Sequence, residues 1–160
     1  MLKISHIKLN LFSKGFSLIE LVVIIVLIGI FTSMALTRTS TGMMTIREQI
    51  AIDQITNDID LAKSMAFARN ETVTIKFNIE QESYSIYDSS GIITDFPNSN
   101  NGVISLDNSF LRKLDIKNIS FNGSSDLHFL PIGDPVAGGT IELNTKTITI
   151  ESVTGKWSVN

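Results

Sequence analysis

The run from Phe16 to Leu36 constrains this chain more than any other feature. It is 21 residues of mostly Val, Ile and Leu, and its one charge is Glu20. At about 1.5 Å per residue, a helix of this length crosses a bilayer core of roughly 30 Å. Lys3, Lys8 and Lys14 stand before it, and the first fifteen residues hold no acid. Lysines gathered on that side predict a cytoplasmic N-terminus with the rest of the chain outside.

Three readings fit such a segment. Ser33-Met34-Ala35 is a small-x-small site, so a secretory signal cut before Leu36 is one. A plain uncleaved signal anchor is the second. In the third, cleavage comes before the apolar block. Glu20 separates them, because a carboxylate inside the hydrophobic span costs about 2.5–3.5 kcal/mol on insertion scales. A signal peptide gains nothing from that charge. A filament subunit gains a buried acid that selects one specific neighbour.

Lys14-Gly15-Phe16-Ser17-Leu18-Ile19-Glu20 resembles the type III signal sequence of type IV pilins and type II secretion pseudopilins. The resemblance implies that a prepilin peptidase cuts between Gly15 and Phe16 and methylates the new amine of Phe16. It implies too that Glu20, the fifth mature residue, pairs with the amine of an adjacent subunit. Such a pair offsets much of the cost of burying the acid and fixes register more than it adds stability. Where many members of the family carry a proline, this chain has Thr37. With Thr39, Ser40, Thr41 and Gly42 it makes a stretch of weak helix formers.

Beyond that stretch the pattern stays helical from Met43 to Asn70. Ile52, Ile55, Ile59, Ala62 and Ala66 recur at steps of three and four, with Met65 beside them. Arg47, Glu48, Asp53, Asp58 and Lys63 read as a solvated face. Arg69 and Asn70 make a helix stop. The period then falls to two: Val73, Ile75, Phe77 and Ile79 alternate with polar residues, as in a half-buried strand. A second strand is expected around Tyr84–Tyr87 and an exposed loop over 88–102, rich in Ser, Asn and Gly. Further strands are expected near Val103–Leu106, Ile116–Phe121, Leu127–Leu130, Gly139–Leu143, Thr147–Glu151 and Trp157–Val159. Pro131 to Gly139 reads as another loop. The expected class is α+β: a long N-terminal transmembrane and stalk helix packed on an antiparallel β-sheet domain. The segments are a leader over 1–15, a membrane or filament-core helix over 16–37, an amphipathic continuation over 38–70 and a β-rich domain over 71–160.

Asp60 to Asn70, running straight into Val73–Phe77, resembles the GspH/FimT/FimU type of minor pilin or pseudopilin domain. The Ile148–Ile150 strand with Thr154-Gly155-Lys156 is similar to that domain's closing signature. Zero cysteines leave no disulfide framework, no thiolate metal site and no cysteine nucleophile.

Little else carries chemistry. His6 leaves with the leader, and His128, between Leu127 and Phe129, is expected to face solvent. Gly133-Asp134-Pro135 through Gly138-Gly139 is a loop and not a phosphate cradle. Asp134 alone is too little for a calcium site. No catalytic residue, metal or cofactor is therefore expected. The net charge is −3, three of the 13 basic residues lie in the leader, and all 16 acids lie beyond it. A body this acidic disfavours phosphate binding. Lys146 and Lys156 stand close to Glu142 and Glu151, and Trp157 is expected in the core, so nucleic acid is not an expected partner. The partners implied are prepilin peptidase, other pilin or pseudopilin subunits, the inner-membrane assembly platform and membrane lipid. A domain tethered outside the membrane by an uncleaved anchor, or a pilus-borne DNA receptor, would be the alternatives.

Overall fold

The computed structural model describes residues 15–108, 111 and 114–160, with the backbone alone for 36–41. Lys3, His6, Lys8 and Lys14 lie outside the described residues, as does the Thr37 side chain. The chain divides into two units, Met1–Ser40 and Thr41–Asn160.

One helix, α1, covers Leu18–Arg69, so residue 37 keeps helical backbone without a proline. Its start is marked by Ser17, whose carbonyl accepts the Leu21 N–H at 3.2 Å. Its end is closed by Asn70 in the left-handed region at φ 51°. The Glu71 N–H then reaches Ala66 O at 3.2 Å and the Asn70 N–H reaches Phe67 O at 3.3 Å, which satisfies two terminal carbonyls. Asparagine tolerates that backbone better than most residues.

In the second unit α1 buries one stripe: Ala51, Ile52, Ile55, Ile59, Ala62 and Ala66. The three alanines let strands approach closely, and each fully buried isoleucine contributes about 1.5–3 kcal/mol. Opposite lie two antiparallel sheets. The first has β1 (Val73–Asn78), β2 (Ser83–Asp88), β3 (Gly91–Ile92), β4 (Val103–Ser105) and β6 (Asp126–Phe129). Its order is β3-β2-β1-β6, with β4 also on β2. The second has β5 (Asn118–Ser120), β7 (Gly139–Glu142), β8 (Thr147–Ile150) and β9 (Trp157–Val159), in the order β5-β7-β8-β9. Val73, Ile75, Leu127 and Phe129 from the first sheet, with Ile141, Ile148 and Ile150 from the second, share a single core with the helix stripe.

Close approach demands glycine at one seam. A Cβ on Gly139 would lie 2.0 Å from Ser120 O and 2.6 Å from Phe121 Cδ1, so only a bare backbone lets β7 pair with β5 there.

The structure corrects the sequence reading in four places. The 88–102 stretch is not a wholly exposed loop: it forms β3 and buries Ile93 and Phe96. There the Ile93 N–H reaches Ile86 O at 2.8 Å, and the apolar side chains outweigh the Ser and Asn around them. Ile79 leaves the core, 38% exposed, because the chain turns after Asn78 and its alternation stops. Glu48 and Asp58 are not solvated but buried, at 4% and 5% exposure. Trp157 is not core; it is 40% exposed on β9.

Candidate functional site

In the first unit the segment Leu18–Ala35 has a mean hydropathy of 2.6 and none of it is buried. Such a helix is long and apolar enough to cross a membrane. Its polar groups are few. The Thr32 hydroxyl donates back to Ile28 O at 2.7 Å, which removes its demand for water. Glu20 lies exposed in the first turn, where the helix dipole favours an acid. Among the described residues no hydrogen bond or ion pair engages its carboxylate. Phe16, just before the helix, is 73% exposed. Gly15 precedes it with open space where a Cβ would go, and its backbone is not in the left-handed region.

In the second unit, polar ties bind the helix to the sheets. Glu48 Oε1 accepts the N–H groups of Thr145 and Lys146 at 2.7 and 3.0 Å, and Oε2 accepts the Thr145 hydroxyl at 2.5 Å. Burial pushes this carboxyl up. The Thr145 and Lys146 hydrogen bonds and the Lys146 charge outweigh it, so Glu48 sits below its ordinary range. Gln49 Oε1 takes the Lys146 ammonium at 2.7 Å. The β7–β8 turn is thus held by a carboxylate and an amide from one helical turn.

Deeper in, the Tyr84 hydroxyl donates to Asp58 Oδ2 at 2.5 Å. Burial pushes Asp58 up and the Tyr84 bond pulls it back only in part. Burial also pushes Tyr84 up, with the Asp58 charge adding to it, so this phenol stays a donor. Near the helix end, Lys63 Nζ donates to Thr154 O at 2.6 Å and Trp157 Nε1–H donates to Asp60 Oδ2 at 3.1 Å. Both turns of the β7–β8–β9 meander are therefore tied to α1. On the first sheet Glu82 Oε2 accepts the Ile116 N–H at 2.8 Å. Burial raises that carboxyl, the Ile116 bond opposes the rise, and Asp115 adds to it.

These ties hold a scaffold and gather no reactive set. His128 is half-buried, with Nδ1 2.9 Å from Thr74 Oγ1. Asp134 lies in the β6–β7 loop, its carbonyl accepting the Leu130 N–H at 2.8 Å. Among the described residues no group of three or more His, Asp or Glu side chains is placed to hold a metal.

The prokaryotic N-terminal methylation motif matches residues 12–36. Two structures of the minor pseudopilin EpsH, from the type 2 secretion system of Vibrio cholerae, align with TM-scores of 0.54 and 0.55. Both are 9% identical, over 71% of this chain and 94% and 95% of theirs. The fold is pilin-like. The type IV minor pilin FimU of Pseudomonas aeruginosa aligns at a TM-score of 0.49, 16% identical, over 70% of this chain and 91% of its own. No curated protein matches the sequence. The pilin-like arrangement of a long apolar helix followed by antiparallel sheets agrees with the α+β class that the sequence pattern predicts.

The buried acids were the residues that sequence reasoning missed. Glu48 stands four before Ile52 and seven before Ile55, which continues the buried stripe by one turn. That spacing was the available signal. Asp58 stands three after Ile55 and four before Ala62, on the same stripe; only its partner Tyr84, on a strand 26 residues away, had no local signal.

Proposed function

We propose that this chain is a non-enzymatic minor pilin or pseudopilin, serving in the priming or tip complex of a type IV pilus or type II secretion pseudopilus. Prepilin peptidase cuts between Gly15 and Phe16, and the new amine of Phe16 is methylated. The subunit waits in the bacterial inner membrane as a single-pass protein, N-terminus in the cytoplasm and β-rich domain outside. The assembly platform then moves it from lipid into a filament.

One observation carries this reading. Within the matched motif, a fully exposed apolar helix bears a lone carboxylate engaged by none of the described residues. Leaving lipid exposes apolar surface worth about 25 cal/mol per Å², so the helix must be reburied, and equivalent helices of other subunits supply the surface. In that low dielectric the Glu20 carboxylate requires a cation, and the amine of a neighbouring Phe16 is one. Gly15 supports the same reading. Among the described residues no crowding and no special backbone conformation calls for a glycine there, and recognition by the peptidase would.

Mass spectrometry of the chain isolated from membranes and sheared filaments tests this. The expected N-terminus is N-methylated Phe16. A mature start at Met1 or Leu36 would overturn the proposal.

A further inference from the structure

Two Asn-Gly pairs stand at the tips of turns that are built alike. Around Asn101-Gly102 the Asn100 N–H reaches Val103 O at 2.8 Å and the Val103 N–H reaches Asn100 O at 3.1 Å. Around Asn122-Gly123 the Phe121 N–H reaches Ser124 O at 2.8 Å and the Ser124 N–H reaches Phe121 O at 3.2 Å. The φ angles agree as well, 52° and 84° in the first turn, 55° and 86° in the second. Positive φ at both central residues is the type I′ pattern, which favours Asn-Gly. Among the described residues, neither the glycine N–H nor the asparagine amide of either turn makes a hydrogen bond.

Only the surroundings differ. Gly102 is buried against β3, and a Cβ there would lie 2.6 Å from Ile92 Cγ1 and 3.3 Å from Ile93 O. Asn122 and Gly123 are both exposed, and a Cβ on Gly123 would meet nothing within 4 Å. An asparagine amide is open to attack by the backbone nitrogen that follows it, and glycine leaves that nitrogen uncrowded. Attack requires the peptide between the two residues to swing toward the asparagine Cγ, so the turn needs room to move. We propose that Asn122 is a site of spontaneous deamidation by water, and that Ile92 protects Asn101 from the same change.

Solvent base takes the Gly123 N–H proton, the nitrogen bonds to Asn122 Cγ, and the Cγ–Nδ2 bond breaks with Nδ2 leaving as ammonia. Water then opens the cyclic imide at either carbonyl. One opening gives aspartate; the other gives isoaspartate, whose main chain runs through the former side chain. Nothing is oxidised or reduced. The turn carries the chain from β5 in the second sheet to β6 in the first. It follows directly on Phe121, which is buried and stacks on Phe77 at 6.1 Å between ring centroids. Either product adds a negative charge to an acidic domain, and isoaspartate also lengthens the main chain of a two-residue turn. None of this depends on how the chain is processed or assembled.

The full-length chain in detergent is held at mildly alkaline pH, folded and in urea, and its peptides are followed by mass spectrometry. Conversion is read as a mass gain of about one dalton, and isoaspartate by enzymatic carboxyl methylation. In the folded chain Asn122 is expected to convert about tenfold faster than Asn101, a barrier difference of about 1.4 kcal/mol. In urea the two rates should draw level, because the Ile92 contact is lost. Ile92→Ala, a change the fold tolerates because this side chain is 37% exposed, should bring the folded Asn101 rate up to that of Asn122. Equal rates in the folded chain, or a gap that persists in urea, would overturn the proposal. So would an Asn122 that stays intact in the folded chain, or an Asn101 rate that Ile92→Ala leaves unchanged.

Discussion

The Tyr84 hydroxyl donates to Asp58 Oδ2 across 2.5 Å, joining the middle of α1 to β2 with both residues buried. Among the described residues no cation pairs with this buried acid.

Tyr84→Phe should therefore destabilise the domain by about 1–3 kcal/mol at neutral pH, the cost of stranding a buried acceptor. Because burial raises the Asp58 pKa, its contribution is complete in acid. Stability is lost as pH rises from the ordinary value of 3.8 through the folded value. The deficit of Tyr84→Phe should accordingly shrink in acid, where a neutral carboxyl is cheaper to strand. Urea unfolding of the full chain in detergent, read by the single tryptophan Trp157, measures both effects. A deficit independent of pH would show that the Asp58 charge is not involved.

Glu48 should behave in the opposite sense. Its folded pKa is depressed, so its stabilisation is full above the ordinary value of 4.5 and is lost as pH falls through the folded value. Glu48→Gln should cost about 1.5–3 kcal/mol at pH 7, the range for hydrogen bonds to charged groups. The gap to the parent chain should close on acidification. Amide exchange in the β7–β8 turn should rise in the variant, and unchanged protection at Thr145 and Lys146 would contradict the clasp.

Two glycines should separate fold from processing. Gly139→Ala forces a Cβ against Ser120 O and should cost about 1–3 kcal/mol, as overpacking does. Gly15→Ala meets nothing and should leave the thermal transition in place. On the proposed function it should also retain the leader, seen as a heavier chain by mass spectrometry. Normal processing of Gly15→Ala would remove Gly15 from the site.

Glu20→Ala tests the pairing idea apart from the leader. Cleavage and methylation at Phe16 should continue, while the amount of the chain in sheared filaments should fall about tenfold, which corresponds to 1.4 kcal/mol of lost pairing. Glu20→Gln should behave likewise, since it keeps the shape and loses the charge. Undiminished incorporation of both variants would rule out an ion pair at this position.

Much of this architecture was legible without coordinates, and the reason is local. The apolar span, the Ile52–Ala66 stripe and the Val73–Phe77 alternation each repeat within a few residues of themselves. The division into two sheets was not legible, because it depends on which strands pair across long connections. Nor were the partners of Glu48, which lie 97 and 98 residues away: its helical spacing marks the buried face and not what it meets there. Trp157 misled for a related reason. Its size suggested the core, yet its indole N–H finds Asp60 at the surface, and a wet edge suits a side chain that is apolar in body and polar at one atom. The candidate site divides the same way: Gly15, Phe16 and Glu20 stand within six residues, whereas Glu48, Asp60 and Lys63 find partners 91 to 98 residues away.

The ties at Glu48, Lys63 and Asp60 also impose an order of events on synthesis. Their partners Thr145, Lys146, Thr154 and Trp157 all lie 91 to 98 residues further along the chain. A ribosome delivers α1 well before these partners, so the helix stays undocked on that side until the chain has grown by 91 to 98 further residues. Contacts this distant in sequence form slowly, and the exposed stripe of isoleucines is at hazard of wrong association until the final meander closes over it.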